Sequence, residues 1–435
     1  MTEKKQDFNF PRYSYRHVRS AYIPRSVVIP AERGASDIVV KEGDTVFEGQ
    51  KITADYKNTA PVHASIPGVV GAITRRTMPN GRQADCVIID FRGGFEYGAE
   101  KNKEDPELYE QTAYRLIVQM RKNGIINTFD SDTAASLALH IEQAAERSGD
   151  GKKVLGVRLF DFDPGCFIDR FTASFFMREV FGGALLCARA LKAEMLVFFY
   201  SGADFTPPSK SEADTWLEGY DYRFVKVDAS LYPSGSDRAL RKAAQKASDW
   251  TQKDEEITLF IDARTAYTVH KSLSAGTPVI DTLVEVNGPA LYEHDVFKVR
   301  LGTPLRRLLE ECGGCEKEPA KIVINGLIKG SAVRDLDIPV TKYVKTVSVL
   351  TTSDIPDQNV SRCIHCGFCR TVCPQGIQSD RIYGYYKNGT PLDADILLSA
   401  RLCDECALCN TACPARLPLY QTVSRYKEKK DEKVL

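Results

Sequence analysis

Eight of the 13 cysteines in this chain fall within its last 73 residues. They form two copies of one spacing. The first is Cys363-x-x-Cys366-x-x-Cys369-x-x-x-Cys373-Pro374, and the second is Cys403-x-x-Cys406-x-x-Cys409-x-x-x-Cys413-Pro414. Every cysteine of the second copy follows its counterpart by 40 positions. In a long cytosolic chain such clusters are metal ligands rather than cross-links, because thiols there stay reduced. Zinc takes four ligands in two spaced pairs, and a doubled run of four closed by proline suits it poorly. Three cysteines two residues apart can instead wrap a short loop around several irons, with a fourth thiolate supplied from elsewhere. Pro374 and Pro414 end each loop and remove a backbone N–H.

The run resembles that of bacterial two-cluster ferredoxins, in which the cysteine before proline ligates the other cluster. That resemblance implies two 4Fe-4S clusters, one on Cys363, Cys366, Cys369 and Cys413 and the other on Cys403, Cys406, Cys409 and Cys373. The crossing would tie the two halves together and hold the clusters close. A dicluster alone reads as a one-electron carrier and leaves donor and acceptor open.

Composition narrows the field. The chain has 435 residues, 43% hydrophobic and 27% charged, with 58 basic and 58 acidic side chains. A core of ordinary size is expected. Zero net charge argues against a nucleic-acid partner, which needs a basic excess. The first residues, Met1 to Asp7, contain no apolar stretch of signal-peptide type. Fully apolar runs such as Met195–Tyr200 fall far short of the ~18 residues that span a bilayer. The expectation is a cytoplasmic protein that docks peripherally on a membrane complex.

Upstream of the clusters, three further segments are legible. Residues 1–100 contain Gly43-Asp44-x-Val46-x-x-Gly49-Gln50 and then Ala64-x-x-x-Gly68-x-Val70, which resembles the lipoyl and biotinyl barrel-sandwich family. In carriers of that family a lysine at a hairpin tip takes the cofactor. Lys57 falls near that tip, but its flanks lack the carrier signature, which implies a scaffold. Residues 101–275 alternate helix and strand. Ala113, Leu116, Ile117 and Met120 mark one helix face, with Gly124 as its C-cap. A second helix is expected over about Thr133–Arg147. Strands follow at Val154–Phe160, Met195–Tyr200 and Ile257–Ile261, with helices at Phe171–Lys192 and Ser236–Trp250. That order predicts a parallel α/β sheet, which binds ligands at the carboxyl ends of its strands. Residues 276–352 read as strands around a helix at Pro304–Cys312, a small β-grasp module. Residues 353–435 form the cluster domain.

These parts, in this order, resemble the RnfC subunit of the Rnf ion-translocating electron-transport complex. The carrying stretches are Asp262-Ala-Arg-Thr-Ala-Tyr267, Val286-Asn-Gly-Pro289, Val299-Arg-Leu-Gly-Thr-Pro304, Cys312-Gly-Gly314 and Cys363-Ile-His-Cys-Gly-Phe-Cys369. The middle segment is also similar to the flavin- and NADH-binding subunit of respiratory complex I, whose acidic loop corresponds to Asp161–Arg170 here. The resemblance implies a ferredoxin–NAD oxidoreductase subunit with FMN and NAD(H) joining the clusters, since flavin exchanges a hydride with NAD and single electrons with clusters. It also implies ferredoxin and membrane subunits as partners, the latter coupling electron flow to ion movement. Gly124, Asp161, Asp163 and Asp204 are the implied FMN/NADH contacts.

The sequence departs from that pattern in its glycine-rich loop, in the acidic loop, where a phenylalanine stands between Asp161 and Asp163, and at Ser201-Gly-Ala-Asp204. The family's glycine-rich phosphate loop reads Asn123-Gly-Ile-Ile-Asn-Thr-Phe-Asp-Ser-Asp-Thr133 here. Glycines let a backbone approach phosphate and offer N–H donors. Only Gly124 remains, and Asp130 and Asp132 would repel the ligand. Ser201-Gly-Ala-Asp204 matches its family counterpart loosely. A second reading follows: a cluster-only wiring and docking subunit on a degenerate flavin domain. Cobalamin-reductase-like proteins share the later parts but begin at the glycine loop, and a quinone-reductase relative with the same first domain lacks clusters. Cys312 and Cys315 form a C-x-x-C pair of undetermined role. Cys86, Cys166 and Cys187 read as core or loop thiols, with Cys166, in the acidic loop, the one to watch.

Overall fold

The computed structural model describes residues 13–31, 37–54, 59–94, 108–129, 135–149, 151–203, 205–247, 256–355 and 359–428. Lys57, Asp130, Asp132 and Asp204 lie outside them. The chain divides into two compact units, residues 1–326 with 331–351, and residues 327–330 with 352–435.

In the first unit a short strand β1 (Val18–Ser20) precedes four strands, β2 (Ser26–Ala31), β3 (Thr45–Val46), β4 (Gly68–Thr77) and β5 (Gln83–Phe91). These four pair antiparallel in the order β2-β5-β4-β3. Alternate residues turn inward, and Val27, Ile29, Ile52, Ile66, Val87 and Ile89 make a fully enclosed core. This is the barrel-sandwich expected from the glycine-turn pattern.

The middle of the unit holds a parallel sheet in the order β8-β7-β6-β9. Its strands are β6 (Val154–Arg158), β7 (Met195–Ser201), β8 (Asp221–Val227) and β9 (Ile257–Asp262). Helices α1 (Ala113–Lys122), α2 (Leu137–Ser148), α3 (Ile168–Phe175), α4 (Met177–Leu191), α5 (Lys210–Trp216), α6 (Asp237–Lys246) and α7 (Ala263–Ser274) surround it. The strand pattern expected from sequence is present, and β8 and α5 are additions to it.

The helix expected over Phe171–Lys192 is in fact two helices, α3 and α4, bent by 99° at Phe176. The two belong to different cores. Gly183 of α4 lies so close to α7 that a Cβ there would sit 1.8 Å from the Ala266 carbonyl oxygen. In α3, Ile168 and Phe171 pack instead with Leu283 and Val296. One straight rod cannot satisfy both.

Six strands make the third layer, in the order β1-β11-β10-β14-β12-β13. They include β10 (Asp281–Asn287), β11 (Asp295–Arg300), β12 (Lys321–Ile324), β13 (Ser331–Val333) and β14 (Thr346–Leu350). Helix α8 (Leu305–Glu311) lays Leu305, Leu308 and Leu309 into the same core as Val284, Phe297, Ile324 and Val347. Strand β1, from ahead of the barrel, runs parallel to β11 at the sheet edge.

The second unit is helical: α9 (Phe368–Thr371), α10 (Ser379–Asn388), α11 (Ala394–Arg401), α12 (Leu408–Thr411) and α13 (Leu419–Glu428). The duplication is visible in it, because α12 and α13 start 408 − 368 = 40 and 419 − 379 = 40 residues after α9 and α10. Left-handed residues repeat with the same offset: His365 and Glu405, Gly367 and Ala407, Gly376 and Arg416 all have positive φ. Non-glycine residues rarely adopt that conformation, so the two loops share one wrapped path despite different side chains.

Candidate electron-transfer site and strand-end crevice

Cys363, Cys366, Cys369 and Cys413 line one cavity, closed below by Ala415, Leu417 and Leu419. Cys373 and Cys403 pack on a second apolar cluster, with Ile377, Ile382, Ile396 and Val423. Cys373 lies close enough to raise the thiol pKa values of Cys403, Cys406 and Cys409, as Cys413 does for Cys369. Each grouping takes three cysteines from one repeat and the pre-proline cysteine from the other. Burial is the larger cause, pushing Cys403 up to about 11 and Cys406 and Cys409 up to about 12. Such thiols ionise at neutral pH only when a metal takes the sulfur. Among the described residues no three His, Cys, Asp or Glu side chains converge on a single ion. Backbone N–H groups already point at sulfur: Ile377 N donates to Cys373 Sγ at 3.3 Å and Glu405 N to Cys403 Sγ at 3.4 Å.

The two loops differ in surroundings. In the first, Cys366 is exposed, and Ile364 and Phe368 stand 66% and 56% exposed beside it. In the second, Cys406 is buried and the intervening residues are Asp404 and Glu405. Gln375 donates to Asp404 at 2.6 Å, and Lys427 pairs with Glu405 at 2.7 Å. Arg370 holds Asp380 through two hydrogen bonds of 2.8 and 2.6 Å, fixing α9 to α10. In the repeat, Asn410 bonds Gln421 and the Tyr420 N–H, each at 2.7 Å.

The crevice expected for a flavin lies where β6 and β9 adjoin, since the chain leaves β6 for β7 on one side and returns to β9 on the other. Its own side chains fill it. Thr128 donates its hydroxyl to the Asp262 carboxylate at 2.8 and 2.9 Å. Phe129 stacks on Phe260 with ring centroids 5.1 Å apart. Arg158, buried at the end of β6, lies 4.1 Å over the Phe129 ring and donates to the Phe129 and Gly235 carbonyls at 2.9 and 2.8 Å. Its Nε alone lacks a partner among the described residues. The backbone donors of this stretch are spent: Asn127 N on the Ala135 carbonyl, Thr128 N on Thr265 Oγ1, Phe129 N on Asn127 Oδ1. Where a phosphate loop would offer free N–H groups, this chain offers none on these three residues. They do not fit FMN in that crevice.

The other implied contacts also have structural occupations. Gly124 has φ +71°, and a Cβ there would sit 2.3 Å from the Pro61 carbonyl oxygen and 2.5 Å from Lys342 Nζ. That buried ammonium donates to the Gly124 and Pro61 carbonyls at 2.6 and 2.7 Å. Asp161 accepts from Asp169 N, Arg170 N and Arg170 Nε at 2.9 to 3.2 Å, capping α3. Asp163 accepts from Gly165 N at 2.9 Å, turning its own loop. Cys166 is buried, and burial with the charges of Asp163, Asp161 and Glu285 pushes its thiol well up; it is no reactive thiolate. Cys312, buried, is pushed up to about 12 by burial, and Cys315 is raised likewise.

Sequence reasoning missed the charges that close the crevice. Lys345 Nζ bridges Asp169 at 2.6 Å and Asp262 at 2.5 Å. Burial raises Asp169 to about 6 in spite of Lys345. Burial acts on Asp262 too, yet Lys345 and Arg158 hold it well below the carboxylate range. Arg264 donates to the Val344 carbonyl and, at 2.9 Å, to that of Lys342, joining α7 to the strand layer. Glu285 accepts from Phe167 N, Tyr15, Asn287 and Thr346 at 2.8 to 3.1 Å. No pattern in the sequence flags these, because each partner comes from a different segment.

Residues 12–93 match the RnfC barrel-sandwich hybrid domain, and residues 359–417 match a 4Fe-4S dicluster domain. The chain is 25% identical over 377 residues to the C subunit of the ion-translocating oxidoreductase complex of Serratia proteamaculans, covering 85% of this chain and 52% of that one. It is 26% identical over 371 residues to the C subunit of the Na(+)-translocating ferredoxin:NAD(+) oxidoreductase complex of Acetobacterium woodii, covering 83% and 81%. The chain thus spans about half the length of the first relative. A crystal structure of an NAD+-reducing [NiFe]-hydrogenase in the H2-reduced state shares the fold over 74% of this chain and 65% of that one, at 14% identity and a TM-score of 0.50.

Proposed function

We propose that this chain, a homologue of the C subunits of ion-translocating oxidoreductase complexes, is their electron relay without a flavin in the crevice between β6 and β9. Its two repeats hold 4Fe-4S clusters on Cys363, Cys366, Cys369 and Cys413, and on Cys403, Cys406, Cys409 and Cys373. The clusters supply one-electron transfer. The residues of the chain bind the irons, donate backbone N–H groups to sulfur and screen the second site from water. The chain docks peripherally on the cytoplasmic face of a membrane complex whose other subunits move ions. Among the described residues no single helix is long and apolar enough to cross a membrane. The bent pair α3 and α4 meets the length and composition together, but α4 is largely buried in the core. Electrons come from or go to a ferredoxin-type carrier, with NAD(H) as the far partner of the complex as a whole.

The filled crevice carries this reading over one in which the chain itself joins NAD(H) to the clusters through FMN. The test is anaerobic: iron, sulfide and flavin in the reconstituted protein, then NADH addition while the cluster absorbance is followed. About eight irons, no flavin and no bleaching by NADH is the expected result. Stoichiometric FMN with NADH-driven bleaching would overturn it.

A further inference from the structure

One side chain breaks the likeness of the two cluster repeats. Ser379 opens α10 and is only 3% exposed. Its hydroxyl has no nitrogen or oxygen partner among the described residues. It reaches the Cys369 sulfur instead, which also takes the Asp380 backbone N–H. A serine hydroxyl rotates to suit its acceptor. An iron-bound thiolate is a charged acceptor, and a bond to it is roughly twice as strong as a neutral one.

The second repeat has no such donor. Leu419 stands at the matching position, and the next N–H, that of Tyr420, goes to Asn410 Oδ1 at 2.7 Å. Backbone donors do reach sulfurs assigned to the second cluster, from Ile377, Glu405 and Leu408. Those belong to the wrapped loop path, whose left-handed residues the repeats share. The hydroxyl is not shared.

Two further differences act in the same direction. Cys366 is exposed where Cys406 is buried. Asp380, which lines the first cavity, is paired with Arg370 at 2.6 Å, whereas Asp404 beside the second loop is held by the neutral Gln375 side chain. A reduced cluster carries one more negative charge. Hydrogen bonds to sulfur and contact with water stabilise it, and a nearby carboxylate opposes it.

We propose that Ser379 is a positioning residue which, acting through Cys369, sets the first cluster above the second in potential. A single electron shared by the pair then rests on the cluster of Cys363, Cys366, Cys369 and Cys413. The second cluster gives up one electron and the first takes it, with no proton and no third reactant. That electron lies behind the loop that exposes Ile364, Cys366 and Phe368, where an outside carrier can collect it. The inference rests on the two-cluster reading above.

The test uses the full chain with reconstituted clusters. Iron is counted first: a wild-type value well below about eight would sink the two-cluster reading and this inference together. At full iron, a spectroelectrochemical titration followed by paramagnetic resonance resolves two waves, and Asp404→Asn marks the second cluster's by raising it. In the wild type the other wave should be the higher. Ser379→Ala should lower that wave alone, by up to about tenfold in the electron-sharing equilibrium (~59 mV for one electron). Ser379→Thr, which keeps a hydroxyl, should restore most of the loss. No shift, a shift in the Asp404-sensitive wave instead, or an equal loss in Ser379→Thr would overturn the proposal. So would a first cluster already below the second in the wild type, an order that is read without any change at position 379.

Discussion

Lys345 Nζ stands between two fully buried carboxylates, 2.6 Å from Asp169 and 2.5 Å from Asp262. One ammonium from the start of β14 thereby joins the first turn of α3 to the cap of α7. Lys345→Met leaves both carboxylates buried without their cation. A loss of about 3–5 kcal/mol is expected, measured by chemical denaturation with the clusters intact. A loss under about 1 kcal/mol would mean that water reaches the site.

Phe129 lies in the crevice between β6 and β9, stacked on Phe260 and beneath Arg158. Phe129→Ala removes a buried ring from between Phe260 and Arg158 and should cost about 3–5 kcal/mol. The same variant gives a second reading: if the protein carried flavin in this crevice, flavin content would change with the substitution. No change from zero is expected.

Glu285 makes stability depend on pH. Burial, then the charge of Asp161, raises it from 4.5 to about 7. The folded state therefore holds a proton that the unfolded chain releases between about 4.5 and 7, so stability declines as pH rises through that window. The full effect is at most about 3 kcal/mol. Glu285→Gln should flatten the slope of melting temperature against pH from 5 to 8, leaving a smaller residue of the same sign from Asp169. An unchanged slope would place the titration elsewhere.

The crossed ligation proposed above would assign Cys373 to the cluster of the other repeat. Cys413→Ala should damage the cluster on Cys363, Cys366 and Cys369, and Cys373→Ala the one on Cys403, Cys406 and Cys409. Each should lose about four of eight irons, and paramagnetic resonance of the reduced protein should show which signal survives. Uncrossed ligation would give the opposite assignment.

Asp404 and Glu405 place carboxylates beside the second loop, where the first has Ile364 and His365. Negative charge near a cluster disfavours its reduction. Asp404→Asn should raise the potential of the second cluster and leave the first in place, as a spectroelectrochemical titration would record.

Sequence made the cluster domain readable because its ligands are local: each loop lies within eleven residues and repeats at a fixed offset. The parallel sheet was readable from apolar runs, since its central strands are buried on both faces. Strand β8 escaped because its outer half is only partly buried, and α5 because it buries Ala213 alone. The missing glycines after α1 signalled a changed crevice. What fills it was not legible, because Lys345, Arg158 and Asp262 meet only in three dimensions. The α3–α4 bend was hidden for the same reason: each half answers to a different distant core.

The barrel-sandwich of this chain is stitched to its neighbours at four places. Val28 N bonds the Gly302 carbonyl at 2.9 Å, Ser65 Oγ bonds that of Leu301 at 2.5 Å, Lys342 bonds Pro61, and Arg300 pairs with the buried Glu48. Strand β1, just before it in sequence, is locked beside β11. Carrier domains of similar shape work by travelling on a free tether between distant stations. Here the described body of the module is held to the strand layer at these four places and, through β1, at its entry, so it is built into the unit rather than hung from it.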